Sequence, residues 1–108
     1  MDITIIPTPL RGKITPIPSK SQAHRLLILA AFADAPTELL CAETNRDIEA
    51  TVDCLNALGA DIFRTNTGYT VRPVRVLPEE ATLNCCESGS TLRFLLPVAG
   101  ALGVDTTF

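Results

Sequence analysis

The sequence predicts an α/β fold with a mixed sheet, and three observations support this. Short β-branched runs alternate with helical patterns, two helices begin with a similar Ser-rich basic turn, and the elements follow the order β-α-β-α-β-β before a second such unit starts. We divide the chain into two amino-terminal strands, residues 1–18, and a partial α/β domain, residues 19–108.

Two strands are predicted before the first helix. The β-branched run Ile3–Ile6 is bounded by prolines and has the composition of a short strand. Residues Lys13–Pro18 alternate polar and apolar side chains, but their prolines restrict them to a sheet edge or a crossing segment.

The first helix is predicted over Lys20–Ala33, with Ser19 as its N-cap. Its body, Leu26–Phe32, is apolar without interruption, so we expect it to be buried on more than one side. Asp34 and Pro36 end the apolar run.

A strand over Thr37–Cys41 and an amphipathic second helix follow. The helix starts with Thr44 or Asn45 as its cap and stops before Gly59, a residue typical of the position after a helix. Its apolar residues recur every three or four positions: Ile48, Val52, Leu55 and Leu58.

The middle of the chain predicts a hairpin and further strand segments. Residues 60–64 and 69–72 flank Thr65–Gly68, a sequence typical of a hairpin turn. Val74–Leu77 either extends the second hairpin strand or forms a short separate strand beyond Pro73, and Thr82–Cys85 has strand composition.

A third helix follows Ser88 and contains the apolar run Phe94–Leu102. Pro97 lies inside it and should leave the Arg93 carbonyl without its helical partner. A last strand begins at Val104, where the chain soon stops, and we therefore expect a piece of a longer protein.

Composition excludes several classes of function. The 108 residues carry a net charge of −3, which argues against a general nucleic-acid-binding protein. No apolar run reaches the length of a membrane span and no secretory signal is present, so we expect no membrane partner and a cytoplasmic location. The four cysteines lack metal-ligand spacing and predict reduced, mostly buried thiols, with no metal: Cys41, Cys54, Cys85 and Cys86.

The start of the first helix is unusually basic. Lys20 and Arg25 lie where the helix dipole disfavours positive charge, beside the hydroxyl of Ser21. Either the fold tolerates a small cost with a solvated lysine, or the free N–H groups and these side chains bind an anion.

The start of the third helix has a related composition. Gly89 permits close approach of a ligand to the backbone, Ser90 offers a hydroxyl, and Arg93 suits bidentate contact with a carboxylate or phosphate. The alternative is an ordinary capped turn, and Glu87 opposes anion binding unless it is paired. Neither helix start has P-loop spacing.

Other candidate residues are better explained by structure than by chemistry. The one histidine, His24, could act in acid–base chemistry, but a surface or capping role is favoured. Asp47, Glu49 and Asp53 are expected to be solvated on a helix face. Nothing near the vicinal pair Cys85-Cys86 lowers a thiol pKa enough to indicate redox activity.

Together, the motifs resemble one family. Pro18–Leu26, followed by an Ala-rich apolar helix, is similar to the amino-terminal signature of 5-enolpyruvylshikimate-3-phosphate synthases. Three further stretches follow in the order that family shows: Arg46–Ile48, Leu55–Ala60 and Glu87–Phe94. The resemblance covers nearly the whole chain but only about the first quarter of a family member.

The resemblance implies a fold of two closing domains, each an inside-out barrel built from three β-α-β-α-β-β units. Residues 1–18 would then cross from the other domain, so that Ile3–Ile6 would be frayed or differently paired in these 108 residues alone, and residues 19–108 would be part of a substrate-binding domain. It also implies an enzyme, monomeric when complete, that transfers an enolpyruvyl group from phosphoenolpyruvate to the 5-hydroxyl of shikimate 3-phosphate and releases phosphate. This reaction needs no metal or organic cofactor.

By the same resemblance, Lys20, Ser21 and Arg25 bind shikimate 3-phosphate, and Lys20 also reaches phosphoenolpyruvate in an electrostatic role. Gly89 lies against phosphoenolpyruvate in the region where glyphosate competes. Ser90 stands where many members have threonine, and Arg93 keeps the family arginine.

Two residues depart from the family pattern, and the family's catalytic carboxylates are missing. Glu87 and Cys86 stand where asparagine and glycine are frequent, which affects the geometry of the second site. The family's catalytic carboxylates come later in the chain, so we expect these 108 residues to be inactive alone. Two alternatives stay open: a UDP-N-acetylglucosamine enolpyruvyl transferase, and a non-catalytic anion-binding or scaffold module.

Overall fold

The computed structural model describes residues 1–108 and contains three helices and five strands. The elements in chain order are α1 (Lys20–Ala31), β1 (Thr37–Leu40), α2 (Arg46–Ala57), β2 (Asp61–Arg64), β3 (Gly68–Arg72), β4 (Glu80–Thr82), α3 (Gly89–Leu102) and β5 (Asp105–Thr107). The mixed α/β composition expected from the sequence is confirmed.

The strands form two sheets rather than the single mixed sheet that was predicted. The first is antiparallel with the order β1-β3-β2, and the predicted hairpin supplies its β2–β3 pair. The second pairs β4 with β5 in parallel, with α3 as the crossover between them.

The prediction of strands within residues 1–18 is wrong for this structure. The stretch pairs with no other strand, and its isoleucines are exposed, with Ile5 at 83%. A strand is stabilised by pairing with neighbouring strands, and β propensity alone is not enough to form a strand.

Two other strand predictions need correction. Val74–Leu77 forms no strand, and the Val74 amide instead donates to the Ala31 carbonyl at the end of α1 (2.8 Å). The strand predicted at Thr82–Cys85 lies earlier, at Glu80–Thr82, although the Leu83 amide still donates to the Thr107 carbonyl (2.8 Å).

Local capping signals place the helix starts correctly. Ser19, Asn45 and Ser88 are the N-caps, and each accepts a hydrogen bond from an amide of the first turn. Gly59 follows α2 with φ of +102°, and a Cβ there would lie 2.8 Å from the Val76 carbonyl oxygen. Glycine is therefore required at this position for two reasons.

The core lies where the three helices pack on one another and on the antiparallel sheet. Helix α1 contributes one buried stripe, not the burial on more than one side expected from its composition, since Leu26 and Leu29 are 41% and 69% exposed. Its buried residues are His24, Leu27, Ala30 and Ala31. None of the helices is long and apolar enough to cross a membrane.

Candidate functional site

The amino-terminal end of α1 presents free amides next to a paired lysine. The Ser19 hydroxyl accepts from the Gln22 amide (3.4 Å), while the first amides of the helix have no partner within it. The Lys20 ammonium forms an ion pair with the carboxylate of Asp47, which lies in the first turn of α2. The side chains of Lys20 and Asp47 are 45% and 30% exposed, so this pair lies at the surface.

The Asp47 pairing corrects the expectation that this residue is merely solvated. The Lys20 ammonium, as hydrogen-bond donor, holds the pKa of the Asp47 carboxyl below its ordinary value, with a smaller effect from the Ser88 hydroxyl. Asp47 therefore stays ionised at neutral pH. Glu49 and Asp53 are exposed and make no side-chain hydrogen bond, as predicted.

Arg25 links α1 to α3. Its guanidinium donates to the Ser21 carbonyl (3.1 Å) and lies over the ring of Phe94, 5.0 Å from the ring centre. A guanidinium stacked in this way keeps unused donors facing solvent.

At the start of α3, the backbone is open to a ligand. The Ser88 hydroxyl caps the helix by accepting from the Thr91 amide (3.2 Å), and a Cβ at Gly89 would meet nothing within 4 Å. Ser90 is half-buried and makes no side-chain hydrogen bond, and the Arg93 guanidinium donates to the Gly89 carbonyl (3.3 Å).

The turn before α3 carries the two departures from the family pattern. Cys86 has a φ of +49°, in the left-handed region that glycine adopts more easily, and its amide donates to the Asn84 side chain (3.0 Å). Glu87 is exposed and unpaired.

The structure brings the two helix starts together through α2. Asp47 pairs with Lys20 on one side and lies beside Ser88 on the other, and its own carbonyl accepts from the Thr91 hydroxyl (3.2 Å). The side chain of Arg93 makes no contact with this group and folds back on its own helix. Lys20, Asp47 and Ser88 therefore form the centre of the candidate site.

His24 occupies a position that the sequence analysis did not foresee. The expected surface or capping role is wrong: His24 is fully buried, and its Nδ1 lies 2.7 Å from Thr51 Oγ1. Burial lowers the pKa of His24, so the ring is neutral at pH 7. The residue faces inward because it lies three positions before Leu27 on the buried stripe of α1.

Asp47 and Thr51 are the residues of this region whose role sequence reasoning missed. Each contacts α1 across 27 positions of sequence, and no local pattern reports such a contact. The only available signal was the Arg46–Ile48 motif, which was noted without a role. Thr91 is also fully buried, and its hydroxyl lies 2.8 Å from that of Thr51.

The site is an open surface, and the apolar cavity beside α1 is lined by other residues. A cavity of about 230 Å³ between α1 and β1 has a mostly apolar lining that includes Ser19 and Gln22 but none of the predicted ligand-binding residues. No cluster of three or more His, Cys, Asp or Glu side chains is arranged to hold a metal ion.

Comparison with known proteins decides the family. The model of the family described as EPSP synthase (3-phosphoshikimate 1-carboxyvinyltransferase) matches residues 5–108. The chain belongs to this family. The resemblance inferred from the motifs is thereby confirmed.

Individual EPSP synthase relatives agree with this assignment. The 3-phosphoshikimate 1-carboxyvinyltransferase of Clostridium kluyveri is 36% identical over 107 residues, covering 98% of this chain and 25% of the relative. The enzyme of the same name from Clostridium novyi is 35% identical over 117 residues, covering 99% and 27%. The chain thus spans about a quarter of the length of the curated relatives it matches.

Proposed function

We propose that this chain binds shikimate 3-phosphate and phosphoenolpyruvate as part of an enzyme that transfers the carboxyvinyl group between them and releases phosphate. The observation that carries the proposal is the meeting of three amino-terminal helix ends at Lys20, Asp47 and Ser88 in a member of the EPSP synthase family. Both substrates are polyanions, and helix N-termini with nearby cations favour such ligands.

Shikimate 3-phosphate is assigned to the start of α1. Lys20, Ser21 and Arg25 are all exposed and lie within the first two turns of the helix, so their donors can converge on one phosphate. The Lys20 ammonium has three N–H donors, and its pairing with Asp47 leaves others free for the ligand.

Phosphoenolpyruvate is assigned to the start of α3, with Lys20 reaching it from α1. Open space at Gly89 allows an anion to approach the backbone, and Ser90 has an unused hydroxyl. Arg93 donates to the Gly89 carbonyl through Nε, which leaves its four Nη N–H donors for a ligand.

The chain supplies binding groups but no suitable proton carrier. Asp47 is a poor general acid because its pKa is lowered, and His24 is shielded from solvent. We therefore expect the 108 residues to bind substrate without turning it over, with the acid–base groups provided by residues outside them.

The remaining parts of the proposal concern the complete molecule. Helices α1 and α2 with the antiparallel sheet would form one unit of an inside-out barrel, and β4, α3 and β5 would begin the next. The exposed residues 1–18 would cross to a second domain. The four free thiols suit a cytoplasmic enzyme.

The two alternative functions receive less support. The family description and the relatives' names refer to 3-phosphoshikimate, and none refers to a UDP-sugar or to a scaffold role. Neither alternative is favoured.

A chimaeric enzyme tests the proposed function. The matching 107 residues of the Clostridium kluyveri relative are replaced by this chain, and phosphate release is measured with both substrates. We expect turnover, and we expect Lys20→Met to lower kcat/KM by about 10- to 100-fold, the value of one charge-assisted hydrogen bond.

Lys13→Met is the matched control, because Lys13 is an exposed lysine in the amino-terminal stretch with no partner. A folded chimaera without activity would contradict the proposed function. Equal effects of the two lysine substitutions would contradict the role of Lys20.

A further inference from the structure

A line of hydrogen-bonding groups crosses the core between the three helices. His24 Nδ1 on α1 lies 2.7 Å from Thr51 Oγ1 on α2, which lies 2.8 Å from Thr91 Oγ1 on α3. Thr91 Oγ1 lies 2.7 Å from Ser88 Oγ at the cap of α3. The four residues of this line are at most 4% exposed.

The outer end of the line determines its direction. The Thr91 hydroxyl donates to Ser88 Oγ (2.7 Å), and the only other acceptor in its reach on this side is the Asp47 carbonyl (3.2 Å). Because a hydroxyl has one proton, the Thr91 proton is used at this end of the line with either acceptor.

The same assignment of one proton to each hydroxyl continues toward His24. The Thr91 proton is committed to Ser88, which is nearer than the Asp47 carbonyl at 3.2 Å, so Thr91 accepts from Thr51. Thr51 in turn has no proton left for His24, and the ring must donate to it through Nδ1–H.

The unpartnered nitrogen of His24 agrees with this order. Nε2 is buried and has no hydrogen-bond partner. In the Nδ1–H tautomer, Nε2 carries a lone pair and no proton. The opposite tautomer would bury an N–H group without an acceptor, which proteins rarely do.

We propose that His24 is a positioning residue: as the Nδ1–H tautomer it orients the hydroxyl protons of Thr51, Thr91 and Ser88, and so holds the starts of α1 and α3 in one arrangement around the anion. Its role at the anion rests on the proposed function. His24 lies between Lys20 and Arg25 on α1, and Ser88 caps the turn that contains Gly89. The line therefore connects the start of α1 to the start of α3 through the core.

The tautomer is tested without any ligand. Nitrogen NMR of the ¹⁵N-labelled 108-residue chain at pH 7.5 should show a pyrrole-like Nδ1 and a pyridine-like Nε2 for His24. The opposite pattern, or rapid averaging of the two forms, would overturn the proposal.

The effect of His24 on the candidate site is tested by titration with phosphoenolpyruvate. We expect His24→Leu and Thr51→Val each to weaken binding by about 5-fold, as one lost hydrogen bond would, and His24→Asn to restore it, since Asn can donate from the position of Nδ1. Thr70→Val removes a hydroxyl from β3, where it contacts Glu38, and should leave binding unchanged.

The outcomes separate the two proposals. Unchanged affinity in both His24→Leu and Thr51→Val would overturn the role of His24 even if the wild-type chain binds. Failure of the wild-type chain to bind would count against the proposed function, while the tautomer would still decide whether His24 orders the line of hydroxyls.

Discussion

At the scale of single residues, the ion pair between Lys20 and Asp47 offsets the positive charge at the start of α1. An isolated lysine there would oppose the helix dipole, but a carboxylate from the next helix compensates for it. The pair also draws α2 toward α1 at the point where a ligand would bind. Asp47 thus serves both the fold and the proposed site.

The pairing predicts a specific pH dependence of stability. Because the pKa of Asp47 is lower in the folded state, its contribution is present above about pH 4, the ordinary pKa of aspartate, and is lost as the pH falls through the folded value. Asp47→Asn should reduce the free energy of unfolding at pH 7, and the difference from wild type should shrink below pH 4.

Urea unfolding at pH 7 and pH 3 measures this effect. Asp53→Asn is the control, since Asp53 lies on the same helix, exposed and without a hydrogen bond. A constant difference between Asp47→Asn and wild type at both pH values would contradict the role of the ion pair.

Residue roles were predictable from the sequence only where the signal is local. The cap at Ser19 was predictable because its side chain bonds its own first turn, and Asn45 was one of two predicted caps of α2. The contact of His24 with Thr51 depends on how α1 lies against α2, which no neighbouring residue encodes. The ligand assignments of the six predicted site residues stay predictions.

At the scale of elements, the helices and the hairpin were predicted well, because periodicity, caps and turn residues lie within each segment. The strands were predicted less well. Residues 3–6 have strand composition but no partner, and Val74 gives its amide to the end of α1 instead of to a strand. Strand formation depends on pairing that is distant in sequence.

The antiparallel sheet has one position where only glycine fits. Gly68 pairs with Leu40 in the register of β1 and β3, and a Cβ there would overlap the Leu39 carbonyl and approach the Cys41 amide nitrogen to 2.7 Å. We expect Gly68→Ala to destabilise the fold by about 2–4 kcal/mol, because the clash is with backbone that cannot move aside.

Gly100→Ala is the matched comparison. A Cβ at Gly100 meets nothing within 4 Å inside α3, so alanine should stabilise the chain by about 0.5–1 kcal/mol through its helix propensity. Chemical denaturation of both variants measures the two effects. Similar free energies of unfolding for the two variants would contradict the close approach at Gly68.

At the scale of the whole molecule, the three helices pack on one another so that their amino-terminal ends meet at Lys20, Asp47 and Ser88. Motif order alone was enough to predict the family. The convergence itself was not predictable, because it follows from helix packing and from the Asp47 and Thr51 contacts.

The central claim is that the starts of α1 and α3 bind one ligand set together. Titration of the ¹⁵N-labelled chain with shikimate 3-phosphate tests it most directly. We expect amide shifts at Lys20, Ser21 and Arg25, with smaller shifts at Gly89 and across the turn at Ser88, all fitting one binding constant. Shifts at α1 and α3 with different binding constants, or none at either start, would contradict the claim.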